Sequence, residues 1–553
     1  MIKSLRPTLS SNRLINQLFR TLSQSNGYEN DNRDKNYNKN NNGQYLVLGT
    51  TVAFIGYQIY DITRKKVYAD AQIEVDYDVG KHKQNLPTYT VEEVSQHTEQ
   101  STGIWVTYKE GVYDVTNFVN EHPGGEQILI AAGSSVEPFW MLYAVHKNPH
   151  VYELLESFRI GNLSNVDAVS LTQDMSDPYG RDPKRHNALI PASKKPFNAE
   201  TLPSLLVENF ITPNELFYVR NHLPVPNINP ETYELEIEIE GRKKSKVFTL
   251  EDLKKMPCRT ITTTIMCAGN RRSEMTKIKP VKGLNWGAAA IGTAKFKGVP
   301  LREVLKLAGL SEEDEENFKH VQFEGDDVDV TGKMYGASIP IWKAVDKRGD
   351  VILAYEMNGV PIPRDHGFPI RVIVPGIVGA RNVKWLTKVV ISKKESDSHW
   401  QQNDYKGFSP STDWDTVDFK KSPAIQELPV ISAIGKPLDG DTVKVEDGHI
   451  LVKGYAWSGG GQKIVRVDLT SDGGKTWHVA NLDHQDPAEP PRHWTWTLWS
   501  AKIPVDKNTK NMEIWAKAVD SNYNTQPEGF ENIWNLRGVL SNAYHRINIK
   551  LEH

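Results

Sequence analysis

The stretch Ile261 to Met275, read as ITTTIMCAGNRRSEM, sets a thiol, two guanidiniums and a carboxylate within a few residues of one another. Ile261 to Ile265 is a β-branched run and reads as a buried strand. Gly269 and Asn270 then signal a turn, so Cys267 falls where the strand ends. Fixed positive charge beside a thiol favours the thiolate, which is both a nucleophile and a ligand for soft metals. Paired guanidiniums suit oxyanions. A free cysteine is otherwise a small buried hydrophobe, and the stretch alone leaves these readings open.

A second chemistry is spelled by histidines. Ile104 to Tyr108 reads as a strand, Lys109-Glu110-Gly111 as a turn and Val112 to Val115 as the partner strand. Glu121-His122-Pro123-Gly124-Gly125 follows, where proline and glycine force a tight loop around His122. His146 lies 24 positions later, beyond a helical stretch, and His150 is its local competitor. Two neutral imidazoles on opposite loops can clamp a haem iron from both faces, leaving no open site for oxygen. Such a site moves electrons.

Cations gather in three further places. Phe217 to His222 reads as a strand that delivers Arg220 and His222 into the rigid turn Leu223-Pro224-Val225-Pro226. Arg364-Asp365-His366-Gly367-Phe368-Pro369-Ile370-Arg371 and Val378-Gly379-Ala380-Arg381-Asn382-Val383-Lys384-Trp385 set His, Arg and Lys among glycines. That composition suits a phosphate and a polar heterocycle. Each segment alone reads equally well as a solvated, salt-bridged loop.

Several domains must position these groups, since 553 residues exceed one core. A net charge of −3 with no long basic face argues against nucleic acid. Only Cys258 and Cys267 occur, with no disulfide framework. Residues 1–28 are Arg-, Ser- and Leu-rich and lack acids, the composition of a mitochondrial presequence. Residues 29–85 hold an Asn-rich tract and Tyr45 to Tyr60, an apolar run shorter than the ~20 residues of a comfortable membrane span. That run reads as a sorting segment that releases the protein into the intermembrane space, with a retained anchor as the alternative. Residues 86–164 form the haem module. Residues 165–198, rich in Asp, Pro, Ser, Lys and Arg, read as a hinge that keeps the module near its electron source. Residues 199–420 hold the thiol and the cations. Residues 421–553 repeat strand-like runs (Ile450 to Trp457, Ile464 to Thr470, Trp494 to Trp499, Met512 to Val519) with a hairpin signal at Asp472-Gly473-Gly474, as an immunoglobulin-like β-sandwich does. The fold class is therefore multidomain α+β.

Residues 86–164, with their hairpin, HPGG and second histidine, resemble cytochrome b5, and by that resemblance His122 and His146 are the axial ligands. FYVRNHLPVP, CAGNRRSEM, the tryptophan of Gly283-Leu284-Asn285-Trp286, PRDHGFPIRV and HWQQNDYKGFSP match, in order, the sulfite oxidase family. The resemblance spans essentially everything beyond the targeting region. It implies a molybdopterin cofactor with Cys267 as the thiolate ligand to molybdenum. The pterin and its phosphate would be held by Tyr218, Val219, Arg220, Asn221, His222, Asp327, His366, Arg371, Asn382, Val383 and Lys384. Asp326 competes with Asp327, and Cys258 matches no ligand position and reads as structural. Arg220, Arg272, Trp286, Tyr405 and Arg537 would form the substrate pocket, with Asp404 beside Tyr405 and no role for His399. The activity implied is oxidation of sulfite to sulfate, with electrons passing singly through haem b to cytochrome c, in a homodimer joined by the C-terminal domain. Two alternatives are a nitrate-reducing enzyme of the same fold and a membrane-tethered haem electron carrier with an inactive molybdenum domain. The haem module lies in front of the molybdenum domain with no flavin domain behind, which disfavours the first. Metal analysis separates the second.

Overall fold

The computed structural model describes residues 79–553 except 124, 143–145, 147, 165–177 and 330–331. The expected presequence, the apolar segment at 45–60 and the first part of the expected hinge lie outside the described residues. No helix among the described residues is long and apolar enough to cross a membrane.

The haem module begins with the expected hairpin, β1 (Gly103–Tyr108) and β2 (Gly111–Asp114), paired antiparallel with Trp105 opposite Asp114. Helix α1 (Pro149–Ser157) starts with proline at its first turn, where no amide hydrogen is needed, and leads into β3 (Arg159–Leu163) against β2. A small core around Val94, Val112 and Leu163 holds these elements together.

The end of the expected hinge is not linker. β4 (Leu189–Lys194), β5 (Phe197–Thr201) and β6 (Val219–Arg220) form a three-stranded sheet. Arg185 reaches the central domain and pairs with Asp365 at 2.9 Å. A Pro- and charge-rich segment reads as linker because it lacks apolar periodicity. Short strands fixed by ion pairs to a distant loop leave no periodic trace.

Two larger sheets make up the central domain. One runs β8 (Lys246–Thr249), β7 (Glu234–Ile239), β15 (Leu386–Ser392), β11 (His320–Val328), β12 (Met334–Pro340). The other runs β9 (Arg259–Met266), β10 (Ile291–Pro300), β13 (Ile352–Met357), with β14 (Arg371–Ile373) also paired to β13. The last four residues of β9 are all buried, which is why its β-branched run is continuous rather than alternating. A left-handed Arg271 then caps α2 (Arg272–Ile278).

The C-terminal domain is the expected sandwich. One sheet is ordered β16 (Ile431–Lys436), β17 (His449–Trp457), β20 (Thr497–Pro504), β19 (Asn481–His484). The other contains β18 (Ile464–Thr470), β21 (Asn511–Asp520) and β22 (His545–Glu552). Its own core is aliphatic around Val452, Val467, Ile514 and Ile547. Tyr455, Trp457, Trp496 and Leu498 belong instead to a core shared with the central domain. The backbone N–H of Thr264 on β9 donates to the Trp494 carbonyl at 3.0 Å, and the Trp496 N–H donates to the Thr264 hydroxyl at 2.7 Å. The strand carrying Cys267 is thus held on one side by the sandwich.

Candidate functional site

Cys267 sits one residue past β9, with its N–H donating to the Ala290 carbonyl at 2.9 Å and its side chain 6% exposed. It forms part of the lining of a cleft. Tyr218, Arg220, His222, Asp327, His366, Arg371, Asn382, Val383, Lys384 and Tyr405 line the same cleft. The structure thereby gathers segments separated by almost two hundred residues. Val219 and Asn221 are buried in the strand and turn behind it. Arg272, Trp286 and Arg537 are not on the lining; they stand on its flank, and Trp286 is fully buried with an indole N–H that has no partner.

The cationic wall is braced from beneath. Lys384 Nζ donates to the Arg220 and Asp365 carbonyls at 2.9 Å each and also to the Asn221 side-chain oxygen. Burial pushes its ammonium down to about 7. Arg371 donates to the His366 and Asn382 carbonyls at 2.9 Å each, and its Nε is buried without a partner. Burial lowers that guanidinium to about 10 and the His366 imidazole to about 4. Burial likewise raises the Asp327 carboxyl to about 8, and one of its oxygens has no partner. Asp327, not Asp326, lines the cleft. Asp365 keeps its charge: burial raises its carboxyl, but Arg185 at 2.9 Å outweighs that and holds it below the usual range. A thiol, stacked cations and unsatisfied polar atoms fit an anionic, phosphate-bearing cofactor with a thiolate-bound metal.

Arg272 lies in a cage of glycines. A Cβ on Gly269 or Gly283 would meet its guanidinium carbon at 2.6 Å, and one on Gly538 would meet its Cγ at 2.8 Å. Its Nε donates to the Arg537 and Gly538 carbonyls at 3.1 and 3.0 Å, and Nη1 donates to Leu284 at 2.8 Å. Arg537 forms an ion pair with Asp404, whose carboxyl is held low by Arg537 despite burial. Arg537 arrives on the C-terminal segment, whose Trp534 and Leu536 pack on Met275 of α2.

Several supporting residues carried no sequence signal. Asn198, inside the expected hinge, accepts from the Asn221 N–H at 2.7 Å and from Arg220 at 3.2 Å. Glu200 accepts from the N–H groups of Gly287 and Ala289 at 2.6 and 2.9 Å and so fixes the loop carrying Trp286. Arg271 is fully buried and donates to the carbonyls of Ser432, Ala543 and Tyr544 in the sandwich. Cys258, expected to be structural, is exposed.

In the haem module the rings of His122 and His146 are 6.3 Å apart between centroids and 4° from parallel. Two imidazoles each bound at about 2 Å to one metal ion between them have this separation. The Gly125 carbonyl lies 3.2 Å from His122 Nδ1, which puts the proton there and the lone pair on Nε2. Burial keeps that imidazole below its usual range, in the neutral form that ligates. The geometry suits a six-coordinate haem. Pro123, next to His122, accepts from Lys282 Nζ at 3.3 Å, and the Lys282 N–H donates to the Leu536 carbonyl at 3.1 Å. The haem loop therefore touches the segment that carries Arg537.

Residues 90–164 match the cytochrome b5-like heme/steroid binding domain, 222–400 the oxidoreductase molybdopterin binding domain and 422–552 the Mo-co oxidoreductase dimerisation domain. The mitochondrial sulfite oxidase of Drosophila melanogaster is 60% identical over 475 residues, covering 85% of this chain and 82% of that one. The mitochondrial sulfite oxidase of Homo sapiens is 55% identical over 475 residues, covering 86% of each. Among solved structures, the sulfane dehydrogenase SoxCD of Paracoccus pantotrophus superposes with a TM-score of 0.54 at 26% identity, over 68% of this chain and 90% of that one.

Proposed function

The chain belongs to the sulfite oxidase family, and from that premise we propose how its residues divide the reaction. It oxidises sulfite to sulfate, using a molybdenum–molybdopterin centre and a b-type haem, in a mitochondrial protein that pairs through its C-terminal domain. The observation that carries the division is the Cys267 thiol on the lining of a cleft walled by Arg220, Arg371 and Lys384.

The cofactor, when bound, supplies the two-electron redox chemistry. Cys267 holds its metal. Arg371, Lys384, His366 and Asp327, with the backbone from Tyr218 to His222 and from Asn382 to Lys384, hold the pterin and its phosphate. Arg220, Arg272 and Arg537 hold the sulfite dianion with permanent planar charges, and Trp286 closes that side of the pocket. Tyr405, on the cleft lining, would offer its phenol as a hydrogen-bond donor to the reacting group. His122 and His146 would hold the haem, which would supply one-electron transfer when bound. Cytochrome c in the intermembrane space is the acceptor in this reading, supported by the mitochondrial relatives and by two parallel imidazoles spaced to ligate one haem iron from both sides.

Cys267→Ser tests the assignment. Sulfite oxidation is expected to be lost while the haem spectrum stays intact, and substantial retained turnover would remove Cys267 from the metal.

A further inference from the structure

β5 holds the proposed anion pocket at two points. Its alternate residues Phe197 and Ala199 pack with Leu189 and Val219 in a small core, so Asn198 and Glu200 share the opposite face. Asn198 stands directly across from Arg220 in the antiparallel register. Its side-chain oxygen accepts from the Asn221 N–H and from Arg220. Its amide nitrogen donates to Ser193 Oγ and to the Pro196 carbonyl, at 2.9 and 3.1 Å. Both polar groups of Asn198 are therefore used, and Arg220 is tied to β5.

Glu200, two residues on, serves the other side. Its two oxygens take the N–H groups of Gly287 and Ala289, on the segment directly after Trp286. That segment is stitched to the one that begins at Cys267. The Cys267 N–H donates to Ala290, the Arg271 N–H to the Gly287 carbonyl at 2.7 Å, and the Ser273 N–H to the Trp286 carbonyl at 3.0 Å. Arg272 itself donates to the Leu284 carbonyl. Trp286 and Arg272 are thus carried on one two-ply ribbon, and Glu200 is bonded to its Trp286 ply. Gly287 leaves no slack in that contact, because a Cβ there would lie 2.8 Å from Glu200 Oε1.

We infer that β5 is a strap that sets the spacing within the anion pocket, with Asn198 the positioning residue for Arg220 and Glu200 the positioning residue for Trp286 and Arg272. Both residues lie on one strand, so the two guanidiniums they serve are held at a fixed separation before the anion arrives. Planar cations from two segments match an anion's oxygens together only while that separation is kept. Loss of either end frees the spacing, so the two ends act as one unit.

The strap rests on the sulfite reading, and turnover of sulfite by the wild type is the control that separates the two. Glu200→Gln keeps the shape but offers one acceptor oxygen to two N–H groups. In the full-length holoenzyme, KM for sulfite should rise about tenfold with kcat per molybdenum within about twofold. Sulfate binding to the oxidised holoenzyme, followed by calorimetry without turnover, should weaken by a similar factor. A purely structural loss would lower the active fraction and leave KM where it was. Gly287→Ala reaches the same contact from the other side. Gly287 is not among the positive-φ glycines, so its new Cβ acts mainly by pressing on the carboxylate, and KM should rise here as well. Adding Asn198→Ala to Glu200→Gln should raise KM little beyond the larger single effect. If the wild type oxidises sulfite while Glu200→Gln and Gly287→Ala keep its KM and sulfate affinity, the strap is wrong. Single effects that multiply in the double variant would also overturn it, by making Asn198 and Glu200 independent supports. Loss of molybdenum with a normal KM in the remaining active enzyme would make Glu200 a support of the metal loop instead.

Discussion

Arg271 adopts φ 63°, and its guanidinium goes into the interface with the sandwich, while Arg272 one residue later enters the glycine cage beside the cleft. Arg271 also forms a 2.6 Å ion pair with Glu274. Arg271→Met keeps much of the volume but leaves Glu274 and three sandwich carbonyls without their donor. Breaking a buried pair in this way costs about 3–5 kcal/mol. Thermal unfolding should shift down accordingly, with kcat of the remaining folded enzyme little changed. Gly269→Ala probes the neighbour. Gly269 is not among the positive-φ glycines, so an added Cβ acts mainly by pushing on the Arg272 guanidinium at 2.6 Å. KM for sulfite should rise about tenfold with molybdenum content unchanged, as expected when uniform binding is lost. An unchanged KM would take Arg272 out of the anion pocket.

At the scale of elements, legibility followed burial. The β9 run and the sandwich strands β17, β18 and β21 were readable because an unbroken or alternating apolar pattern survives wherever a strand meets a core. Asn198 and Glu200 on β5 were not, because a polar residue bonded to a backbone in another segment looks like any surface residue in sequence. His545 on β22 is a similar case. Its Nδ1 accepts from the Ile434 N–H at 3.1 Å, joining β22 to β16, and its Nε2 faces Glu274 at 3.7 Å. Burial pushes its imidazole from 6.5 to about 4, with Arg271 and Lys277 opposing the charge and Glu274 and Asp439 favouring it. Below the ordinary value the unfolded chain takes up a proton that folded His545 refuses. Its contribution is therefore complete above pH 6.5 and is lost as pH falls toward about 4. The full difference is roughly 3 kcal/mol. His545→Asn keeps an acceptor for Ile434 without the titration. The drop in unfolding temperature between about pH 7 and about pH 5 should shrink in that variant. An identical drop would assign the acid sensitivity elsewhere.

For the whole molecule, the chain's motifs identified three modules, yet the way they meet could not be read from them. The central domain and the sandwich share a core, whereas the haem module meets them through residues that are individually unremarkable. Lys282 is one such residue: it lies in a Lys- and Gly-containing loop and matches no motif. In the structure its Nζ lies 4.0 Å from the centre of the Trp414 ring and donates to the Pro123 carbonyl, one residue from His122, the proposed haem ligand. Its backbone N–H holds Leu536, one residue before Arg537. The loop thus joins the segment of the proposed haem ligand His122 to that of Arg537 with one hydrogen bond at each end. The bond to Pro123 is exposed, so it contributes little to stability. Lys282→Ala should leave molybdenum content and the reduction of a small artificial acceptor by sulfite unchanged, because the lysine lies outside the cleft lining. Reduction of the haem after rapid mixing with sulfite should slow by about tenfold, with a weaker dependence on ionic strength than in the wild type. A haem that reduces as fast in Lys282→Ala as in the wild type would show that electrons cross by a different contact.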